Sequence, residues 1–255
     1  MSKAARLSRE ERRRAELEER RARRHDRRRP QERSILLPLS LAAVVLGVVA
    51  IVVFMVATAP PAGNGLQPPP GGGNYALADG QALGREDAPL TMEIYSDFQC
   101  PACGTFAQTI KPALVADYVA TGQLRLVYRD FAFLGPESID AAVGARCAAQ
   151  QNRFWQYHDY LFANQQGENR GAFSQARLTA IAEAAGLEMD AYAACVADPA
   201  QRQAVLDERA TASSEGIAST PTLVIDGQPP IVGVPDYADL RQVLDGLLEQ
   251  ANLSR

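Results

Sequence analysis

The sequence predicts an α/β domain carried behind a single membrane-spanning helix. Three observations predict it: an uncharged apolar run at residues 35–59, a Pro/Gly tract at 60–74, and then alternating β-rich and helix-periodic segments over residues 75–255. The chain has 255 residues, 47% hydrophobic and 22% charged, which excludes disordered and collagen-like classes and allows one well-buried core. The net charge of −4 hides a partition, because residues 1–33 hold 14 of the 26 Lys+Arg against 7 acids. Two histidines, His25 and His158, support neither a His-rich metal site nor a Ser/His/Asp triad.

Residues 1–33 are mostly Arg, Glu and Ala, with acids and arginines spaced for i, i+4 pairing and no apolar face to pack. They read as a basic, solvated cytoplasmic arm, or as one that meets anionic headgroups beside a membrane. Nothing aromatic is interleaved for base stacking, so nucleic acid is not an expected partner. The segment 34–59 reads as a transmembrane helix in contact with lipid. About 20 helical residues cross the ~30 Å hydrocarbon core, and here 25 in succession carry no charge. The basic residues before it place the N-terminus in the cytoplasm and the rest outside. Ala57 and Ala59 leave a cleaved signal peptide as the competing reading. Residues 60–74 (PPAGNGLQPPPGGGN) cannot bury apolar area and read as a mobile linker.

Within 75–255, residues 90–95 (LTMEIY) and 123–131 (QLRLVYRDF) have strand composition, with a helix expected between them. Residues 136–207 are Ala-rich with three and four residue apolar spacing, and predict several helices broken at 167–171, Gly186 and Pro199. Residues 222–225 read as a short buried strand. Asp226-Gly227 signals a hairpin into a partner at 231–233, and a helix over 237–248 follows.

The four cysteines carry the chemistry. Cys100-Pro101-Ala102-Cys103 follows a strand and opens the expected helix. Unpaired N–H groups and the macrodipole at a helix N-terminus favour negative charge, so Cys100 is expected as a low-pKa thiolate. Pro101 suits the first turn, where its missing N–H costs nothing. Cys103, one turn on, can attack a mixed disulfide formed at Cys100 and release the product. The same spacing also forms half of a four-cysteine zinc site, but Cys147 and Cys195 lie 48 positions apart without CxxC spacing, so no metal is expected. A purely structural Cys100–Cys103 bond is the other alternative. Near the last strands, Ser219-Thr220-Pro221-Thr222 makes Thr220–Pro221 a candidate cis peptide, which beside a reactive disulfide would expose the backbone of Thr220 to an extended substrate.

Together the segments SDFQCPACGTF (96–106), RCAAQQNRFWQYHDYLF (146–162) and GIASTPTLVIDG (216–227) resemble the DsbA-like thiol:disulfide oxidoreductases. The resemblance covers about residues 76–250 and implies a thioredoxin fold with an inserted helical subdomain at about 136–210. It implies Cys100 as nucleophile, Cys103 as resolving thiol, Pro221 as a cis-proline facing them and Thr220 touching substrate. It also implies a structural disulfide between Cys147 and Cys195, which export favours over two buried free thiols. Two departures stand out. The position where many relatives carry a buried glutamate is Ile94, and Glu93, one residue out of register, belongs on the opposite strand face unless a bulge intervenes. Proton handling then falls to another group, Asp97 among them, or to water. Where relatives have Phe-Pro, residues 129–133 read RDFAF and receive no catalytic role. The Pro101-Ala102 dipeptide lacks the histidine of strongly oxidising relatives, which implies a couple between DsbA and thioredoxin.

The function expected is therefore a bacterial, membrane-tethered oxidase, monomeric and without a cofactor, which passes its CPAC disulfide to exported cysteine-containing proteins and is reoxidised by an integral-membrane partner. A reductase or isomerase, or a thioredoxin-like binding or chaperone module without enzymatic activity, are the alternatives. His158 and the aromatic residues Trp155, Tyr157 and Tyr160 read as core of an amphipathic helix.

Overall fold

The structure, a computed structural model, describes residues 14, 16–21, 65–70 and 75–253. The chain divides into two units, residues 1–60 and 61–255. In the first, residues 16–21 are helical. The apolar run 35–59 lies outside the described residues; among those described, no helix is long and apolar enough to cross a membrane.

The second unit is built on a six-stranded sheet in the order β1-β2-β4-β3-β5-β6. The strands are β1 (Ala78–Asp79), β2 (Ala82–Leu83), β3 (Leu90–Ser96), β4 (Leu124–Asp130), β5 (Thr222–Ile225) and β6 (Ile231–Val232). β3 and β4 run parallel from Leu90↔Leu124 to Ser96↔Asp130, and β5 lies antiparallel on the other side of β3. Parallel strands need a crossover, and residues 101–119 supply it as α1 (Pro101–Thr105), a π-helical stretch (Phe106–Ile110), α2 (Lys111–Leu114) and a second one (Val115–Val119). Pro112 has no N–H to continue an α-helix and its ring crowds the carbonyl four residues back, which gives the first wide turn a cause.

The helical block comprises α3 (Pro136–Gln150), α4 (Phe154–Ala163), α5 (Gln175–Ala184), α6 (Met189–Ala197) and α7 (Pro199–Ser214), and α8 (Tyr237–Leu253) closes the chain. Asn152, in the left-handed region at φ 56°, separates α3 from α4. Cys147 on α3 and Cys195 on α6 form a disulfide. One turn earlier on both helices, Gly144 makes room for two phenols. A Cβ there would stand 2.4 Å from the Tyr157 hydroxyl and 2.8 Å from that of Tyr192, which are hydrogen-bonded to each other at 2.9 Å.

The main core joins Met92, Ile94, Leu124, Leu126 and Tyr128 of the sheet to Phe106 and Leu114 of the crossover and Phe154, Trp155 and Leu161 of α4. His158 is buried in this aromatic cluster, where burial lowers its pKa to about 4, so it packs as a neutral ring. Beside it Lys111, 3% exposed, is ion-paired with Asp159 and donates to the Tyr75 hydroxyl at 2.8 Å. Burial pulls the lysine's pKa down against the opposing charge of Asp159.

Part of the expected linker is docked rather than free. The Gln67 N–H donates to Asn164 Oδ1 at 2.8 Å and the Asn164 Nδ2 donates back to the Gln67 carbonyl at 2.9 Å. A side-chain amide satisfies one backbone residue in both directions, as a strand neighbour would, and the adjacent Leu66 packs half-buried against the core, so this stretch of a Pro-rich segment gains both polar and apolar partners.

Candidate active site

β3 ends at Ser96, and residues 97–100 turn the chain into α1 with Cys100 as its cap. Cys100 is extended at φ −71° and ψ 121°, and its Sγ accepts the Cys103 N–H at 3.4 Å. Pro101 follows at the first helical position and Ala102 half-buried after it. Both cysteines are free and buried, Cys103 more deeply.

The two thiols are unlike. The Cys103 thiol, donating to the Cys100 sulfur, does most to lower the Cys100 pKa, partial burial opposes it, and contacts from Thr220 and from the N–H groups of Cys103 and Ala102 bring it to about 6. Burial, then the proximity of Cys100, pushes the Cys103 pKa up. One sulfur is an anion near neutral pH and its neighbour holds a proton.

The turn before β5 faces them. Thr220–Pro221 is a cis peptide, and the Cys100 thiol donates to the Thr220 carbonyl oxygen at 3.4 Å. The Thr220 Oγ1 is buried without a partner of its own, a donor at hand for the sulfur once Cys100 has ionised. The Pro221 carbonyl accepts the Gly233 N–H at 2.8 Å, which ties this turn to the end of β6.

The surrounding acids have other tasks. β3 pairs with β4 in unbroken register, with no bulge, so Ile94 is buried on the core face and Glu93 turns to the other, where Arg129 Nε reaches it at 2.8 Å. Asp97 is buried and its carboxylate accepts from the N–H groups of Gln99, Phe133 and Leu134 and from the Ser138 hydroxyl, at 2.6 to 3.0 Å. The Asp97 side chain thus organises the loop beneath the cysteines. Asp130 is buried with Oδ1 unpartnered, and burial raises its pKa, helped by Glu208 and opposed by Arg146.

The loop 97–100 is further held by side chains for which the sequence carried no motif. Gln99 Nε2 donates to Ser138 at 2.8 Å, the Asn169 N–H donates to Gln99 Oε1, and Gln165 Nε2 donates to the carbonyls of Phe98 and Cys100. Ser138, Gln165 and Asn169 all come from the helical block, 39 to 70 positions away, and polar residues on helices and loops give no local signal of such use. Cys147 and Cys195 lie outside this site, bonded to each other and so withdrawn from any four-thiolate metal centre. No cluster of three metal-ligating side chains occurs among the described residues. A cavity of about 200 Å³ lined by Pro69, Tyr75, Lys111, Asp159 and Phe162 includes neither free cysteine and is not the redox site.

Known proteins resemble this chain in sequence and fold. The model of a family described as thioredoxin matches residues 77–246. A Bacillus anthracis protein named probable disulfide bond formation protein D is 24% identical over 180 residues, covering 69% of this chain and 82% of its own length. Among solved structures, oxidised BdbD from Bacillus subtilis superposes with a TM-score of 0.62 at 21% identity, over 69% of this chain and 100% of that one. The alpha-DsbA1 of Wolbachia pipientis gives a TM-score of 0.60 at 21% identity, over 68% of this chain and 93% of that one.

Proposed function

The chain belongs to the thioredoxin family and is a DsbA-like thiol:disulfide oxidoreductase, and from that premise we propose that it works outside the cytoplasm as an oxidase of exported proteins. The observation that carries the direction is the contrast between the two thiols, Cys100 lowered to about 6 and Cys103 raised. A substrate thiolate attacks Cys100 Sγ of the Cys100–Cys103 disulfide, forming a mixed disulfide and expelling the Cys103 thiolate, which takes up a proton. A second substrate thiolate then attacks the substrate sulfur of that bond and expels Cys100 as a thiolate. Two electrons pass from substrate to enzyme, and the stabilised Cys100 anion is a good leaving group. Reoxidation falls to an integral-membrane partner.

In this reading Thr220 and Pro221 present the backbone that an extended substrate meets, and Cys147–Cys195 serves as a structural bond. Residues 34–59 anchor the chain in lipid as a single-pass helix with the arm 1–33 in the cytoplasm, residues 60–74 link it to the domain 75–255, and the protein acts as a monomer. One feature favours a second reading as a reductase or isomerase: the uncharged Pro101-Ala102 pair adds no cation beside the thiolate.

Redox titration against glutathione separates the two, with Cys100 alkylation followed and Cys147 and Cys195 scored apart by mass spectrometry. A couple above about −200 mV supports the oxidase and one near about −270 mV the reductase. Absence of a reversible Cys100–Cys103 couple would leave only a binding module.

A further inference from the structure

Gln165 lies in the loop after α4, in the helical block and away from the strand–helix unit that carries the reactive cysteines. Its Nε2 nonetheless donates to the carbonyl oxygens of Phe98 at 2.6 Å and Cys100 at 3.0 Å. The fit depends on a glycine: a Cβ on Gly104 would stand 2.4 Å from Gln165 Oε1. The amide therefore lies in a notch against the first turn of α1.

Those two carbonyls flank Gln99 and lead into the nucleophile. The Cys100 carbonyl also accepts the Gly104 N–H at 3.1 Å, so it is held from two sides. The Phe98 residue is 1% exposed, and a carbonyl buried there that loses its donor has no water to turn to. Fixing both carbonyls fixes the backbone on either side of Cys100 in the extended cap conformation, from which its Sγ reaches the Cys103 N–H at 3.4 Å.

We propose that Gln165 is a positioning residue for the nucleophile: through the Phe98 and Cys100 carbonyls it holds Cys100 in its cap conformation, and so the helical block governs how readily that thiol ionises. This rests on Cys100 being the attacking sulfur. Gln165 touches neither sulfur and acts only through the backbone it holds. A mere space-filler against Gly104 would need its volume; a positioning residue needs its N–H donors. That distinction sets the choice of variants.

The test uses the full-length protein with Cys100 and Cys103 reduced and Cys147–Cys195 intact, and follows iodoacetamide alkylation of Cys100 by mass spectrometry from pH 4.5 to 8. Gln165→Met keeps the length of the side chain and loses the donors; Gln165→Lys keeps donors at similar reach. The Met variant is expected to react at least about threefold more slowly than the parent at pH 5.5, with the difference closing by pH 8, where Cys100 is largely ionised in both proteins. The Lys variant is expected to match the parent or react faster. A Met variant with the parent's profile, or Met and Lys variants slowed alike, overturns the proposal. Should the Met variant lose its cooperative unfolding transition, Gly104→Ala, which displaces the amide from its notch, takes its place with the same expected direction, and an unshifted profile overturns the proposal. Alkylation needs neither substrate nor redox partner, so this result stands apart from the titration that decides the direction of electron flow.

Discussion

The sulfur of Cys100 stands 3.4 Å from the carbonyl oxygen of Thr220, a residue 120 positions later in the chain. The contact joins the cap of α1 to the turn before β5, and it places a buried, unpartnered hydroxyl beside the reacting atom. Thr220→Val, which keeps the shape and removes that hydroxyl, is expected to raise the pH midpoint of Cys100 alkylation while leaving the unfolding transition within about 1 kcal/mol of the parent. A midpoint that stays in place would assign the lowered pKa wholly to the helix end and Cys103.

The Cys103 thiol is the largest influence lowering the Cys100 pKa to about 6. In Cys103→Ala that donor is gone, so the alkylation midpoint of Cys100 should move up towards the ordinary thiol range near about 8.5. The variant should also accumulate mixed disulfides with substrate peptides, since the resolving sulfur is absent. Thiolate absorbance at 240 nm across pH 4 to 10 measures the first effect and non-reducing gels the second.

The disulfide between Cys147 and Cys195 closes a loop of sequence separation 48. Loop-closure entropy assigns such a bond about 4 kcal/mol, in a model-dependent way. Cys147→Ser with Cys195→Ser should lower the urea midpoint accordingly and leave the Cys100 alkylation profile unchanged, because neither residue touches the redox site.

His158 adds a pH dependence. Its folded pKa, about 4, lies below the ordinary 6.5, so the unfolded chain binds a proton that the folded protein refuses. Stability from this group is intact above about pH 6.5, falls as the pH drops towards 4, and is flat below, a loss of about 3 kcal/mol. Asp130, whose pKa burial raises, acts in the opposite sense: the folded carboxyl resists ionisation, so stability declines as the pH rises above the ordinary carboxylate range. The useful measurement is the difference between the parent and His158→Gln in urea at pH 4.5 and 7, which cancels Asp130. The variant should have the flatter pH dependence.

Removing the carboxylate beside Lys111 should be costly. Asp159→Asn leaves a lysine that is 3% exposed facing no anion, and a loss of about 3 kcal/mol or more is expected in chemical unfolding. Asp159→Asn combined with Lys111→Met should recover much of it.

Strand, crossover helix, strand, helical block, hairpin and final helix were legible because each has its own period or turn signal, and the CPAC segment because its spacing is chemical. β1 and β2 were not, since two residues apiece at a sheet edge are too few for alternation to register. The end of α3 was missed because Asn152 is a weaker breaker than Gly or Pro. Glu93 was read on the side where it lies, because the pleat fixes alternation wherever pairing is regular. Docking of Gln67 on Asn164, and the grip of Ser138, Gln165 and Asn169 on the loop before Cys100, depend on contacts across 39 to 97 positions that no local pattern encodes.

Gly144 of α3 and Tyr192 of α6 stand one helical turn from the sulfur bridge, on the two helices that it joins, and Tyr157 reaches them from α4. Two links of different kind thus hold α6, a covalent one to α3 and a hydrogen bond to α4, and a larger side chain at 144 would press on both hydroxyls while leaving the covalent link in place. Loss of one link leaves the other untouched, because the two run from α6 to different neighbours.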